Sequence, residues 1–283
     1  MTASILDGKQ VAQQKLMNLK QIVTQRAAQG IRPPSLAVIR VGEDAASIIY
    51  VNHKIRACTE VGFISVSYVL DTQTTESELL TLINDLNQRQ DIDGILVQLP
   101  LPIHINKDII LETILPYKDV DGFHPYNIGR LAQGNPNLRP CTPFGIIQLL
   151  QYYHIELRGL HAVVIGASNI VGRPMALELL LTSSTVTICH SATRHLEDHV
   201  RMADLLIVAT GKYNIVKTDW LHSKQIIIDV GMHRKDNAKI HGDIDYEKAK
   251  HIVNWITPVP GGVGPMTISV LLQNTLKNQK IPD

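Results

Sequence analysis

Ala162-Val163-Val164-Ile165-Gly166-Ala167-Ser168-Asn169-Ile170-Val171-Gly172-Arg173-Pro174 reads as a buried strand that breaks into a glycine-bearing turn and then a helix. That arrangement brings backbone N–H groups and a helix N-terminus up to a diphosphate. The spacing departs from Gly-x-Gly-x-x-Gly. Gly166 fits the first place, Ser168 replaces the second glycine, and the next glycine is Gly172. A seryl hydroxyl there can itself bond a phosphate oxygen, although such a turn also serves as a plain strand-to-helix connection. Further strands are expected near 185–189, 204–208, 226–230 and 252–256, with helices or loops between them. A nucleotide-binding unit that begins near residue 160 leaves the first half of the chain for another task.

Working outward, that first half alternates in the same way. Apolar positions Val11, Leu16, Leu19, Ile22 and Val23 mark a helix over 9–29 that ends at Gly30. Strands are expected over 36–41, 65–69 and 93–99, the last stopped by Pro100 and Pro102; helices are expected over 45–61, closed by Gly62, and over 75–89. Residues 116–143 are rich in Pro, Gly and Asn and read as irregular apart from a short helix. Thr142-Pro143 starts another helix, and a last one covers 265–279. Strands separated by helices imply parallel sheets with right-handed crossovers. The expected fold is α/β with two domains, an N-terminal α/β domain and a Rossmann-type unit, the C-terminal helix packing back on the first.

Composition bounds the partners. The 283 residues carry 27 basic against 26 acidic side chains, 45% hydrophobic and 19% charged residues. Near-neutrality gives no electrostatic footprint for nucleic acid or an anionic membrane. No run approaches the ~18 apolar residues of a membrane span. Three cysteines, Cys58, Cys141 and Cys189, cannot all pair, which favours a reducing compartment and a cytoplasmic protein. The scattered histidines lead us to expect no metal site, and no Gly-x-Ser-x-Gly elbow is present. Trp220 and Trp255 read as packing residues.

Several residues carry candidate chemistry. Val208-Ala209-Thr210-Gly211 and Asp229-Val230-Gly231-Met232 end later strands with small residues, as a nucleotide lying across strand ends requires. About 20 residues past Gly166, where an NAD enzyme places a carboxylate for the ribose, stands Cys189-His190-Ser191-Ala192-Thr193-Arg194. With no acid there and Arg194 or His190 at hand, NADP is preferred; the alternative is a polar loop leading into a short helix. Tyr50 and Lys54 stand four apart on one helix, suited to stacking a flat heterocycle and moving a proton, or simply a solvated pair. Gln98 sits at the carboxyl end of a strand, where α/β sheets place ligands. Lys118-Asp119-Val120-Asp121-Gly122-Phe123 offers two carboxylates in a turn, although Asp-Gly turn chemistry accounts for Asp121. Pro258-Val259-Pro260-Gly261-Gly262-Val263-Gly264-Pro265-Met266-Thr267 allows close backbone approach to a ligand, or a hinge.

Taken in order, Tyr50 to Lys54, Asp93 to Pro102, Lys118 to Gly122, Pro140-Cys141-Thr142-Pro143, Gly166 to Pro174 and Pro258 to Thr267 closely resemble the bifunctional methylenetetrahydrofolate dehydrogenase/cyclohydrolase family, from about Asp7-Gly8 to the final helix. The resemblance implies a folate-binding catalytic domain over 1–140, joined by a C-terminal helix over 266–283, and a Rossmann-type NADP-binding domain over 141–265. It implies NADP-dependent oxidation of 5,10-methylenetetrahydrofolate, then hydrolysis of the methenyl cation to 10-formyltetrahydrofolate. Lys54 is then the catalytic lysine, Tyr50 stacks on the folate, Gln98 bonds and tunes Lys54, and Asp121 anchors the pterin. Val97 and Leu99 border the folate, and Pro260, Gly261, Gly262 and Gly264 line its pocket. Gly166, Ala167, Ser168, Ser191 and Met232 hold the cofactor. Some relatives have Arg where Ala167 stands and a basic residue where Ala192 stands, which leaves Arg194, His190 or Arg173 for the 2′-phosphate; Met232 takes a place often held by Ile. A homodimer joined through the cofactor domain and a part in purine biosynthesis are also implied. A dehydrogenase resembling shikimate dehydrogenase and a catalytically silent nucleotide-binding protein are the alternatives; the latter would be expected to lose Lys54, Gln98 or Asp121.

Overall fold

The computed structural model describes residues 2–234 and 240–279. In chain order its elements open with β1 (Ser4–Ile5), α1 (Gly8–Ala28), β2 (Ser35–Val41), α2 (Ala45–Val61), β3 (Ile64–Leu70), α3 (Glu76–Gln88) and β4 (Gly94–Val97). Next come α4 (Lys107–Thr113), α5 (Pro125–Ala132), α6 (Cys141–Tyr152), β5 (His161–Ile165), α7 (Gly172–Leu181), β6 (Thr185–Cys189), α8 (Leu196–Met202) and β7 (Leu205–Val208). The chain closes with β8 (Ile226–Asp229), β9 (His233–Arg234), β10 (Ile240–His241), α9 (Tyr246–Ala249), β11 (Trp255–Ile256) and α10 (Val263–Asn278). Two compact units result, one of Met1–Ala12 and Pro140–Thr267, the other of Gln13–Arg139 and Ile268–Asp283.

The unit formed by 13–139 and 268–283 is built on a parallel sheet ordered β3-β2-β4. Leu36, Ala37, Val38 and Ile39 are buried without exposure, as a central strand covered on both faces requires, whereas Val69 on edge strand β3 is 63% exposed. Leu79, Ile83 and Leu86 on α3 pack with Ile39, Ile95 and Val97, and Thr75 and Glu78 start that helix with a reciprocal capping box. Gly62 closes α2 in the left-handed conformation, φ 83°. At the amino end of the sheet, Arg32 grips buried Asp93 with two 2.7 Å bonds. Asn274 on α10 donates to the carbonyls of Val120 (2.8 Å) and Arg139 (3.0 Å), so the closing helix packs on this unit. Residues 280–283 of that expected helix lie outside the described residues.

The other unit carries a six-stranded parallel sheet ordered β1-β11-β8-β7-β5-β6. Residues 2–12 pack on this unit: Ser4 and Ile5 pair with Trp255 and Ile256, and Leu6 and Val11 are buried against Ile146, Met175 and Met266. A two-residue edge strand leaves no periodic trace to read. The strand expected over 252–256 shortens to Trp255–Ile256, and the β9–β10 pair was not anticipated. The short helix expected within 116–143 is α5. Among the described residues no helix is long and apolar enough to cross a membrane.

Candidate active site

Parallel pairing gathers the carboxyl ends of β2, β3 and β4 on one edge, and the sequence-singled residues follow that edge. Gln98 comes directly after β4, its backbone N–H bonded to Ile39 O at 2.8 Å. Its side-chain Nε2 donates to Leu99 O at 2.7 Å, which turns Oε1 toward α2. There Lys54 Nζ donates to Gln98 Oε1 at 3.0 Å, from a side chain on a residue only 8% exposed. The solvated-pair alternative for Lys54 therefore fails. Tyr50, one turn earlier on α2, is half-buried, and that burial pushes its phenol up. Val97 is buried and Leu99 half-buried beside Gln98.

The Lys118–Phe123 turn divides its charges. Lys118 Nζ donates to the carbonyls of Leu86 (2.9 Å), Asn87 (2.9 Å) and Arg89 (2.6 Å), capping the carboxyl end of α3 from a buried position. Asp119 is buried and accepts from the N–H groups of Gly122 (3.1 Å), Phe123 (3.2 Å) and His124 (2.8 Å) and from Asn127 Nδ2 (2.9 Å). Burial pushes its carboxyl up, against the pull of those donors. The turn chemistry credited to Asp121 thus belongs to Asp119, and Asp121 stands half-buried on the turn that Asp119 holds.

In the other unit the phosphate turn is tight. Gly166 has φ 120°, and a Cβ on it would lie 2.2 Å from Ala209 O; one on Gly172 would lie 1.9 Å from Gly166 O. Both glycines are required by backbone crowding. Ser168 Oγ accepts from the N–H groups of Val171 (3.2 Å) and Gly172 (3.3 Å), and its own O–H is a donor suited to an oxyanion. Ala167 is half-buried and its carbonyl accepts from Arg173 Nε at 3.2 Å. His190, Ser191 and Arg194 are exposed beyond β6, and His190 Nδ1 accepts from Ala192 N at 3.2 Å. Met232 is 44% exposed. A small-residue turn, an exposed seryl hydroxyl and exposed basic side chains fit a dinucleotide with a 2′-phosphate.

Other residues find structural explanations. A Cβ on Gly262 would lie 2.6 Å from Pro258 O and 2.8 Å from Thr257 Cβ, so the loop's own turn requires that glycine, while one on Gly8 would lie 1.8 Å from Gly262 O, so the loop packed on the start of α1 requires Gly8. Gly261 has φ 108° and its carbonyl accepts from Lys9 N at 2.8 Å. Gly264 has open space at its Cα, and Pro260 lies in the same unit. His195 and His199 stand four apart, but His195 precedes α8 in the left-handed conformation, φ 54°. Among the described residues no group of three or more His, Cys, Asp or Glu is arranged to hold a metal.

Two acids are buried here, Asp229, named above only as part of a strand end, and Asp243, which the sequence reading did not single out. Asp229, at the end of β8, accepts from the N–H groups of Gly231 (3.0 Å), Asp243 (2.9 Å) and Ile244 (3.0 Å), and burial pushes it up to about 7 despite those donors. Asp243 lies above it, fully buried. The signal was present: an aspartate closing the apolar run Ile226-Ile227-Ile228, and a second directly after Gly242.

Comparison with known proteins assigns the fold. Residues 6–121 match the catalytic domain of tetrahydrofolate dehydrogenase/cyclohydrolase, and residues 140–282 its NAD(P)-binding domain. The chain belongs to the tetrahydrofolate dehydrogenase/cyclohydrolase family. It is 59% identical over 276 residues to the Bifunctional protein FolD of Legionella pneumophila (strain Paris), covering 98% of this chain and 97% of that one. The bifunctional FolD methylenetetrahydrofolate dehydrogenase/cyclohydrolase of Campylobacter jejuni superposes with TM-score 0.95 at 49% identity, covering 98% of each chain. The Trypanosoma brucei N5,N10-methylenetetrahydrofolate dehydrogenase-cyclohydrolase, solved with NADP and an inhibitor, gives TM-score 0.93 at 35% identity, covering 99% of this chain and 98% of that one. Membership sets aside the shikimate-dehydrogenase alternative. It makes this chain a tetrahydrofolate dehydrogenase/cyclohydrolase, with Tyr50, Lys54, Gln98 and Asp121 in the segment matching the catalytic domain and the Gly166 turn in the segment matching the NAD(P)-binding domain.

Proposed function

We propose that the chain oxidises 5,10-methylenetetrahydrofolate with NADP and hydrolyses the resulting methenyl cation to 10-formyltetrahydrofolate, with Lys54 as the proton-transfer residue. The observation that carries the role of Lys54 is the 3.0 Å bond from its Nζ to Gln98 Oε1 on a nearly buried side chain at the sheet's carboxyl edge. NADP, when bound, takes up the hydride that leaves the methylene carbon. The chain's own groups do the rest. Gln98, fixed through Leu99 O, holds Nζ in one place, so the amine needs no reorganisation to act. As water adds to the methenyl carbon it must give up a proton, and Lys54 Nζ receives it. Tyr50, Val97, Leu99 and Asp121 bind the folate, Tyr50 through its ring and Asp121 through the pterin. Gly166, Ala167, Ser168, Ser191 and Met232 hold NADP, with Arg173, His190 and Arg194 supplying charge for the 2′-phosphate. The same reading makes the protein a cytoplasmic homodimer joined through the NAD(P)-binding domain, its product serving purine biosynthesis.

Lys54→Met tests the division of labour. Cyclohydrolase activity should fall by roughly 10²–10⁴-fold, the range for loss of a positioned acid–base group. Dehydrogenase activity, which depends chiefly on positioning, should stay within about tenfold of the parent. Equal loss of both activities would remove Lys54 from proton transfer.

A further inference from the structure

We propose that Asp243 is a positioning residue of the cofactor site, locked by His233, so that one buried carboxylate aims the ends of β7 and β8 at NADP; this rests on the cofactor reading above. The two oxygens of Asp243 reach two strand ends. Oδ2 accepts from Thr210 N (2.7 Å), Thr210 Oγ1 (2.9 Å) and Gly211 N (3.1 Å), just past β7. Oδ1 lies 2.7 Å from His233 Nε2, which donates to it from the residue after Met232. Thr210 and Gly211 lie beyond the strand ladder, and Gly211 has φ 66° with open space around it. Their N–H groups find in Asp243 the acceptor that no strand supplies.

The carboxylate is itself held from below. Asp243 N and Ile244 N donate to Asp229 at 2.9 and 3.0 Å, and Asp229 N donates to Thr257 Oγ1 at 2.8 Å. Gly231 leaves room for the carboxylate, since a Cβ there would lie 2.0 Å from Asp243 Oδ1. The anchorage reaches the phosphate turn as well. Ala209, one residue before Thr210, donates to Ile165 O at 2.8 Å and presents its carbonyl to Gly166. A shift of Asp243 would therefore move Thr210, Gly211 and Met232 together. Tyr213 packs edge-on against His233, with ring centroids 6.2 Å apart, and restrains the imidazole.

Two variants of the full-length protein test this, His233→Leu, which removes the donor, and His233→Gln, whose Nε2 can donate from a similar reach. The readouts are KM for NADP, KM for methylenetetrahydrofolate, and hydrolysis of the methenyl compound without NADP. His233→Leu should raise KM for NADP about tenfold, as expected for loss of one charge-assisted bond. His233→Gln should return it to within about threefold of the parent by restoring that bond. Folate KM and cofactor-free hydrolysis should stay within about twofold, because the altered bond lies in the NAD(P)-binding unit. An unchanged KM for NADP in His233→Leu, no rescue by glutamine, or a parallel fall in cofactor-free hydrolysis would each overturn the anchor. A parent that fails to saturate with NADP would overturn the cofactor reading, and the anchor with it.

Discussion

Asp229→Asn should flatten a slope in the pH dependence of stability, and its size can be worked from the site. Burial pushes the Asp229 carboxyl from 3.8 up to about 7, with the three backbone donors pulling the other way. Between those values the native acid keeps a proton that the unfolded chain has released. Its contribution is therefore intact below about pH 4, erodes as pH rises, and levels off above about pH 7. The two constants give a penalty of about 2 kcal/mol at pH 5 and about 4 kcal/mol at pH 8, a difference of about 2–3 kcal/mol. Asparagine does not titrate. It keeps one oxygen for its donors but turns an NH2 toward one backbone N–H, a cost of about 1–3 kcal/mol that does not vary with pH. Urea unfolding of parent and variant at pH 5, 6, 7 and 8 measures the slope, because titrating groups away from Asp229 cancel in the difference, leaving Asp229 and its coupling to Asp243. The variant should gain on the parent by about 2–3 kcal/mol from pH 5 to pH 8, or roughly 1 M in urea midpoint. A difference that stays constant, or moves the other way, would refute the assignment of a buried, proton-holding acid at the end of β8.

Asp119→Ala should destabilise the protein by about 3–5 kcal/mol in urea unfolding, since it strands buried backbone donors. Because the same change loosens the turn that carries Asp121, KM for folate should rise while KM for NADP holds; parent-like stability would contradict the role of Asp119. Side-by-side saturation with NADP and NAD should show preference for NADP, and a preference for NAD would overturn the reading of residues 190–194.

The regular elements were legible because apolar periodicity reports burial directly. Leu36 to Val41 is continuously apolar apart from Arg40 and is the buried central strand; Leu79, Ile83 and Leu86 keep helical spacing and face the same core. Gln98 was legible as a polar group at the end of an apolar strand, and Lys54 as an amine four residues after Tyr50 on one helix; that the two meet is shown only by the structure. What stayed hidden was pairing without pattern. Ser4–Ile5 is too short to alternate, and its place is set by Trp255–Ile256, about 250 residues away in the chain. The glycines of the 258–267 loop suggested a ligand, and the structure adds a contact the sequence hides: Gly8 is needed because a Cβ there would meet the backbone of Gly262. The sequence brings neither member of that contact near the other.

The misplaced aspartates share one physical cause. Loops at strand ends carry N–H groups that no ladder partner satisfies, and burial makes each unsatisfied group costly. A carboxylate suits that task better than an amide or hydroxyl, because both of its oxygens only accept. Asp119 collects donors from Gly122, Phe123, His124 and Asn127; Asp243 collects them from Thr210, Gly211 and His233. Local turn propensity sees only the neighbours in sequence, so it credits Asp121 beside Gly122 and passes over Asp243, whose partners lie 10 to 33 residues away. In the Lys118–Phe123 turn the acid proposed to meet the folate, Asp121, and the acid that holds the loop, Asp119, are different residues. Mutating the buried one should damage binding without that residue touching the folate, and the Asp119→Ala folate KM measures that effect.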